Sequence, residues 1–321
     1  MASSPRPGPP GPPPPGSRTV VTDDGVRLHV EFAGNPDADL TVVLTHGFTA
    51  RLAEWEPQVE ALRDRARIVL WDQRGHGRSG WTRLRKATVD RTGQDLAEVL
   101  DAVVPTGPVV LGGHSLGGMT IMALARRRPE LFGSRVVGVF LLATSAGGLV
   151  RGGVLGHWVG LVRRLHLLGL WLLTMQLLAP LLERFRRRGT RAGRWFTRRY
   201  LFGRRDASRE QVRMVQDLLE ETPYPVVMAF YATFLEHDET ASLPVVGRVP
   251  VTIVGASHDR LTPVEHSRRM AELIGPGAEL VVVDGAGHSV NLTRPEVVNR
   301  AFADLLDRVE ARQGHGSREA G

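Results

Sequence analysis

A serine hydroxyl, an imidazole and a carboxylate acting in series can break a carbonyl–heteroatom bond through a covalent acyl intermediate. In this 321-residue chain Ser115, His288 and Asp259 stand in settings that suit those parts. Ser115 sits in Gly113-His114-Ser115-Leu116-Gly117, between the apolar run that opens Val109-Val110-Leu111 and a helical pattern from Met119 to Arg128. Strand, glycine-flanked serine and helix is the context in which such a pentapeptide forms a nucleophile elbow. The serine then occupies a sharp turn with its hydroxyl above the sheet edge. Its neighbours must be small because strand and helix pass close together there. The Leu116 amide opens the helix, so it is predicted to point, unpaired, at negative charge developing on an attacked carbonyl.

His288 lies in Gly285-Ala286-Gly287-His288-Ser289, just beyond the apolar run Leu280–Val283. There it could take the serine proton and return it to a leaving group. Asp259, in Ser257-His258-Asp259-Arg260-Leu261-Thr262-Pro263, follows the run Val251–Val254. A carboxylate on that loop would fix the imidazole tautomer and stabilise its cation. Asp284 is the rival acid, but it precedes His288 by only four residues on the same loop.

The elements that must hold these loops read as an α/β fold with a mostly parallel sheet. Thr19–Thr22 and Val26–Phe32 flank Asp23-Asp24-Gly25 as a hairpin. Leu40–Thr45, Ile68–Trp71, the run before the elbow and Val136–Ala143 are continuous apolar segments, as strands buried on both faces are. Helical patterns over Ala53–Asp64 and Arg91–Val104 alternate with them. Each loop rich in glycine and histidine falls at a strand's carboxyl end, where ligands bind in such sheets. The alternation fails between Ser145 and about Leu243, and helical patterns resume at Ser208–Glu221 and Val226–Glu236. The expected organisation is therefore a tail over 1–18, a first core segment over 19–145, a helical cap over 146–243, a second core segment over 244–313 and a tail over 314–321.

Composition narrows the chemistry. There is no cysteine, so disulfides, thiolate metal sites and cysteine nucleophiles are excluded, and a reducing cytoplasm suits the chain. The first seventeen residues are rich in Pro and Gly without an apolar stretch, and read as a disordered, partly polyproline tail rather than a signal peptide or anchor. Of the 41 basic residues only Lys86 is lysine, and no basic run is interleaved with a nucleic-acid module. No His/Asp/Glu cluster has metal-ligand spacing, and the chemistry asks for no cofactor.

Taken together, His46-Gly47-Phe48, the loop Asp72–Ser79, the serine elbow and the pair Asp259 and His288 resemble the α/β-hydrolase superfamily. The likeness is to its capped esterases, lipases and non-metal perhydrolases. It runs from about Val20 to Arg312, in the chain order serine, aspartate, histidine that this fold uses. The resemblance implies a central sheet covered by helices on both faces, and a second oxyanion donor in the Phe48 amide. It also implies that Asp72, Arg74, His76 and Ser79 form a structural turn beside the elbow. His114 and His258 are expected only to pack or tune. Haloalkane dehalogenases and epoxide hydrolases of this fold use an aspartate nucleophile, so Ser115 turns the expectation to acyl transfer on a small-molecule ester. A perhydrolase, or a ligand-binding protein with little turnover, remains the alternative.

The cap is unusual. Leu165–Leu182 is apolar at nearly the length of a membrane span, but His166, Gln176 and Pro180 interrupt it. From Arg151 to Arg205 there are 13 arginines and one acid, Glu183. Three readings of the cap stand: an ordinary amphipathic cover, an apolar acyl-binding pocket, or a surface for peripheral contact with anionic lipid.

Overall fold

The computed structural model describes residues 16–81, 86–149, 174, 201–202, 207–208, 210–213, 215–216 and 222–319. Most of the Arg/Leu-rich segment, including nearly all of 165–182, lies outside them, as do the first fifteen residues. The expectations attached to those stretches fall outside the description.

Eight strands form one sheet in the order β1-β2-β4-β3-β5-β6-β7-β8. β1 (Arg18–Val21) and β2 (Arg27–Gly34) make the antiparallel hairpin, with Val21 opposite Arg27 and Gly25 at φ 82° in the turn. β2 pairs antiparallel with β4 (Arg67–Trp71). From β4 onward the pairing is parallel, through β3 (Thr41–Thr45), β5 (Val109–His114), β6 (Val136–Leu142), β7 (Val251–Ala256) and β8 (Ala278–Val283). The central strands are apolar at nearly every position because each face meets a helical layer.

Alternate residues divide between two cores. Val43, Val69, Leu111, Val139 and Ile253 face one layer, which holds α2 (Val89–Val103) and α3 (Leu116–Arg127). Val42, Ile68, Val110, Phe140 and Val254 face the other, which holds α1 (Glu56–Leu62) and the long C-terminal helix from Pro295 to Glu319. Strand periodicity of two thus persists beneath an unbroken apolar run. On the second face Phe140 and Phe302 stack with centroids 4.2 Å apart and planes at 5°. On the first, α2 and α3 approach so closely that a Cβ on Gly93 would lie 2.7 Å from that of Ala123. Thr92 and Thr120 share a buried 2.7 Å hydrogen bond between the same helices.

One boundary differs from the sequence expectation. The last helix continues through Glu319, where a tail from 314 was expected; Gln313, Arg318 and Glu319 are good helix formers and carry it past two glycines. The helix Tyr224–Glu236, in the stretch read as the cap, packs on the core, for Val226, Ala229 and Phe230 join the cluster that α2 and α3 build. Among the described residues, no helix is long and apolar enough to cross a membrane.

Candidate active site

Among the described residues, the three non-glycine residues with positive φ all lie just beyond the carboxyl ends of central strands: Thr49 (58°) after β3, Ser115 (51°) after β5 and Ala143 (43°) after β6. Strain of this kind persists only where the surroundings over-determine it. At Ser115 they do. Its amide donates to the Leu142 carbonyl (2.9 Å), and its own carbonyl accepts from the Thr144 hydroxyl (2.6 Å) and the Gly118 amide (3.0 Å). The flanking glycines are sterically required. A Cβ on Gly113 would fall 2.5 Å from the Gly117 carbonyl carbon, and one on Gly117 would overlap the Thr45 carbonyl oxygen.

Ser115, His288 and Asp259 converge from three loops. The Ser115 hydroxyl oxygen is 2.9 Å from His288 Nε2, and His288 Nδ1 is 2.7 Å from Asp259 Oδ2. All three side chains are buried in the sheet's carboxyl edge. Asp259 Oδ1 accepts from the Leu261 amide (2.8 Å) and the Thr262 amide (3.0 Å), while Oδ2 accepts from the Thr262 hydroxyl (2.8 Å). Burial would push the carboxyl up, but the His288 ring and these donors outweigh it and hold the pKa below the usual value. An ionised Asp259 accepts at Nδ1–H, which leaves the Nε2 lone pair for the serine proton. Asp284 is elsewhere: its carboxylate takes a 2.8 Å bond from the Ser257 hydroxyl.

No hydrogen bond within the described protein takes up the Phe48 or the Leu116 amide. Leu116 begins α3 behind Ser115, and a Cβ on Gly47 would lie 3.5 Å from that of Ser115, so both amides border the serine. The Phe48 ring packs edge-on against Phe234, 5.0 Å away, on the helix Tyr224–Glu236. That helix therefore covers the loop that follows β3.

The loop after β4 contributes structure. Asp72 accepts from the Leu52 and Arg78 amides (both 2.8 Å), and the Ser79 hydroxyl donates to the Asp72 carbonyl. Arg74 is fully buried between Asp24 and Asp95. His76 Nδ1 donates to the Arg74 carbonyl (3.0 Å), and burial pushes its pKa down to about 3. His46 accepts from the Gln73 amide at Nε2 (2.9 Å) and turns Nδ1 to the Gly47 carbonyl. His258 is exposed.

Three contacts escaped the sequence reading. Thr262 secures Asp259, and an Asx turn closed onto the residue two positions on could have announced it. Glu54 reaches the site from a 3-10 turn at the start of the stretch read as helix from Ala53, a pattern that does not mark it as a site residue. His114, expected only to pack or tune, makes a specific bond: its Nε2 is 3.1 Å from the His288 carbonyl oxygen. Among the described residues, no group of His, Asp and Glu could hold a metal ion.

The alpha/beta hydrolase family matches residues 42–301. The chain belongs to that family and is a hydrolase of it. Its relatives include a protein of Agrobacterium fabrum that carries the name carbamate hydrolase RutD, 26% identical over 87% of this chain and 98% of its own. Among solved structures, an esterase from Thermogutta terrifontis superposes with a TM-score of 0.71 at 26% identity, covering 91% of this chain and 98% of that one. The enol-lactonase of Burkholderia xenovorans shares the fold, with a TM-score of 0.69 at 23% identity over 90% of this chain and all of the other.

Proposed function

We propose that this hydrolase cleaves carboxylic esters, and in particular apolar or long-chain acyl esters, through a covalent acyl-enzyme. The observation that carries the reading is the unbroken relay Ser115–His288–Asp259, with contacts of 2.9 and 2.7 Å. Ser115 Oγ attacks the ester carbonyl carbon while its proton passes to His288 Nε2. The electron pair pushed onto the carbonyl oxygen meets the Phe48 and Leu116 amides, both free to donate. Asp259 stabilises the imidazolium that forms. Collapse breaks the bond to the alkoxy oxygen, which leaves as the alcohol with the proton from His288. Water then repeats the sequence on the acyl-enzyme and frees the acid and Ser115.

Preference for apolar acyl groups rests on composition, in the Leu-rich stretch 165–182 with its Trp171. The arginines around it suit peripheral contact with anionic lipid. A cysteine-free chain suits the cytoplasm. The full-length likeness to a protein named as a carbamate hydrolase favours a second reading, in which the same relay forms a carbamoyl-enzyme.

Hydrolysis of 4-nitrophenyl esters from acetyl to palmitoyl, beside a 4-nitrophenyl carbamate, tests the proposal with wild type and Ser115→Ala. The proposal expects ester turnover that Ser115→Ala abolishes, with an optimum at longer chains. Turnover confined to the carbamate moves the second reading ahead. Inertness towards all of them, in a folded protein, removes both and leaves the perhydrolase and low-turnover alternatives.

A further inference from the structure

Beside the relay lies a second acid–imidazole pair, from β5 and the turn after β3, that the acyl-transfer steps leave unused. Glu54 and His114 are at least as buried as the relay itself, at 3% and 5% exposure. Glu54 Oε1 accepts a 2.6 Å bond from the Gly47 amide, and both of its oxygens lie 3.2 Å from His114 Nδ1. On the other side of the ring, His114 Nε2 meets the His288 carbonyl oxygen at 3.1 Å. The His114 and His288 rings are tilted at 44° to one another with centroids 4.9 Å apart. Glu54 is itself anchored, since its backbone carbonyl accepts from the Asn291 side chain (2.9 Å), three residues beyond His288.

Both nitrogens of His114 face acceptors, a carboxylate and a carbonyl. A neutral imidazole has one N–H and one lone pair, so it would turn a lone pair onto an oxygen. With Glu54 ionised, only the imidazolium satisfies both contacts. Burial alone would lower the pKa of His114, but the charge and hydrogen bond of Glu54 and the His288 carbonyl outweigh it, with Asp259 adding to them, and the net direction is up.

We propose that Glu54 and His114 form a buried ion pair that positions the relay, fastening the backbone of His288 to the loop that presents the Phe48 amide. Neither residue touches substrate; both act through His288 and Gly47. The pair links the two parts whose separation matters most, the base and the oxyanion donors, across the elbow strand. Gly47 fits this arrangement, because a Cβ there would come within 2.7 Å of His114 Nδ1.

The inference rests on the serine-relay reading, and one set of assays separates the two. With 4-nitrophenyl butyrate, His114→Leu is expected to lower kcat by about tenfold to a hundredfold, the cost of slightly misplacing a reacting group, with KM within about threefold. His114→Gln, whose amide can still donate to the His288 carbonyl, should recover most of the loss. Nitrogen NMR of the wild type at neutral pH should show His114 protonated at both nitrogens, and Glu54→Gln should remove one of those protons. A wild-type kcat in folded His114→Leu, equal losses in Leu and Gln variants, or a singly protonated His114 overturns the pair. Should His114→Leu not fold, Glu54→Gln and the NMR signature decide. Activity surviving in Ser115→Ala overturns instead the relay on which the pair acts.

Discussion

His288 Nε2 lies 2.9 Å from the Ser115 hydroxyl oxygen although 173 positions separate the two residues. The contact depends on the parallel sheet. Ser115 leaves the carboxyl end of β5, and the loop bearing His288 leaves the carboxyl end of β8, with β6 and β7 between them in the sheet. Asp259 comes from β7, adjacent to β8, so the acid and base loops start from neighbouring strands.

Asp259→Asn should leave the fold intact and nearly abolish turnover. Two backbone amides hold Oδ1, so an asparagine keeps its oxygen there and turns its NH2 to His288. His288 Nδ1 must then accept, which places a proton on Nε2, facing the serine. The wrong tautomer costs about 10⁴-fold in kcat. Steady-state kinetics with unchanged circular dichroism checks this; a loss below about tenfold would contradict the assigned role.

The relay was legible in the sequence because each member follows an apolar strand and brings its own glycine-bearing loop. The strands were legible for the same reason, though β7 continues to Ala256 and β8 begins at Ala278, outside the runs read. Glu54 was not legible. It belongs to a short 3-10 turn, and its partner lies 60 positions away, so no local pattern marks it. His114 stood beside the elbow, yet its bond to the His288 carbonyl depends on the register of β5 against the loop after β8.

Acid should destabilise the protein through His76. Burial holds this ring neutral, with its pKa lowered to about 3, and it titrates near 6.5 once unfolded. Between those values the unfolded chain binds the extra proton. Stability contributed by this group is therefore complete above about pH 6.5 and falls as pH drops toward 3, at up to about 1.4 kcal/mol per pH unit. His237 and His266, also lowered by burial, add to the slope. His76→Asn retains a donor for the Arg74 carbonyl and should flatten the dependence of the urea midpoint on pH between about 4 and 6.5, without removing it. An unchanged slope would show that His76 is not the titrating group.

Gly117→Ala should prevent folding or cost several kcal/mol. Its added Cβ would overlap the Thr45 carbonyl oxygen and press on the carbonyl oxygen of His46, 2.9 Å away. Both are backbone atoms of the first parallel strand and its loop, so neither can rotate aside as a side chain would. Relief requires α3 to move off β3, which would also carry the Leu116 amide away from Ser115. Soluble yield and the thermal midpoint measure the effect. A midpoint within about 2 °C of wild type would mean that the elbow yields more easily than close packing allows.

Ser115→Gly should make the protein more stable as it makes it inactive. At φ 51° and ψ −113° the serine holds a backbone conformation that its Cβ disfavours. Such strain is worth about 1–3 kcal/mol, while the greater freedom of glycine in the unfolded chain returns about 0.5–1 kcal/mol of the gain. Among the described residues the Ser115 hydroxyl has one hydrogen-bond partner, His288, and its removal costs about 1 kcal/mol. The balance leaves a small net stabilisation if the strain lies in the upper part of its range. Ser115→Ala separates the two contributions, because it removes the same hydroxyl and keeps the Cβ and its strain. Glycine should therefore melt above alanine, in the order also usual for an N-cap position. Should alanine melt higher, the strain at the elbow is too small to be the stability that this site gives up for its geometry.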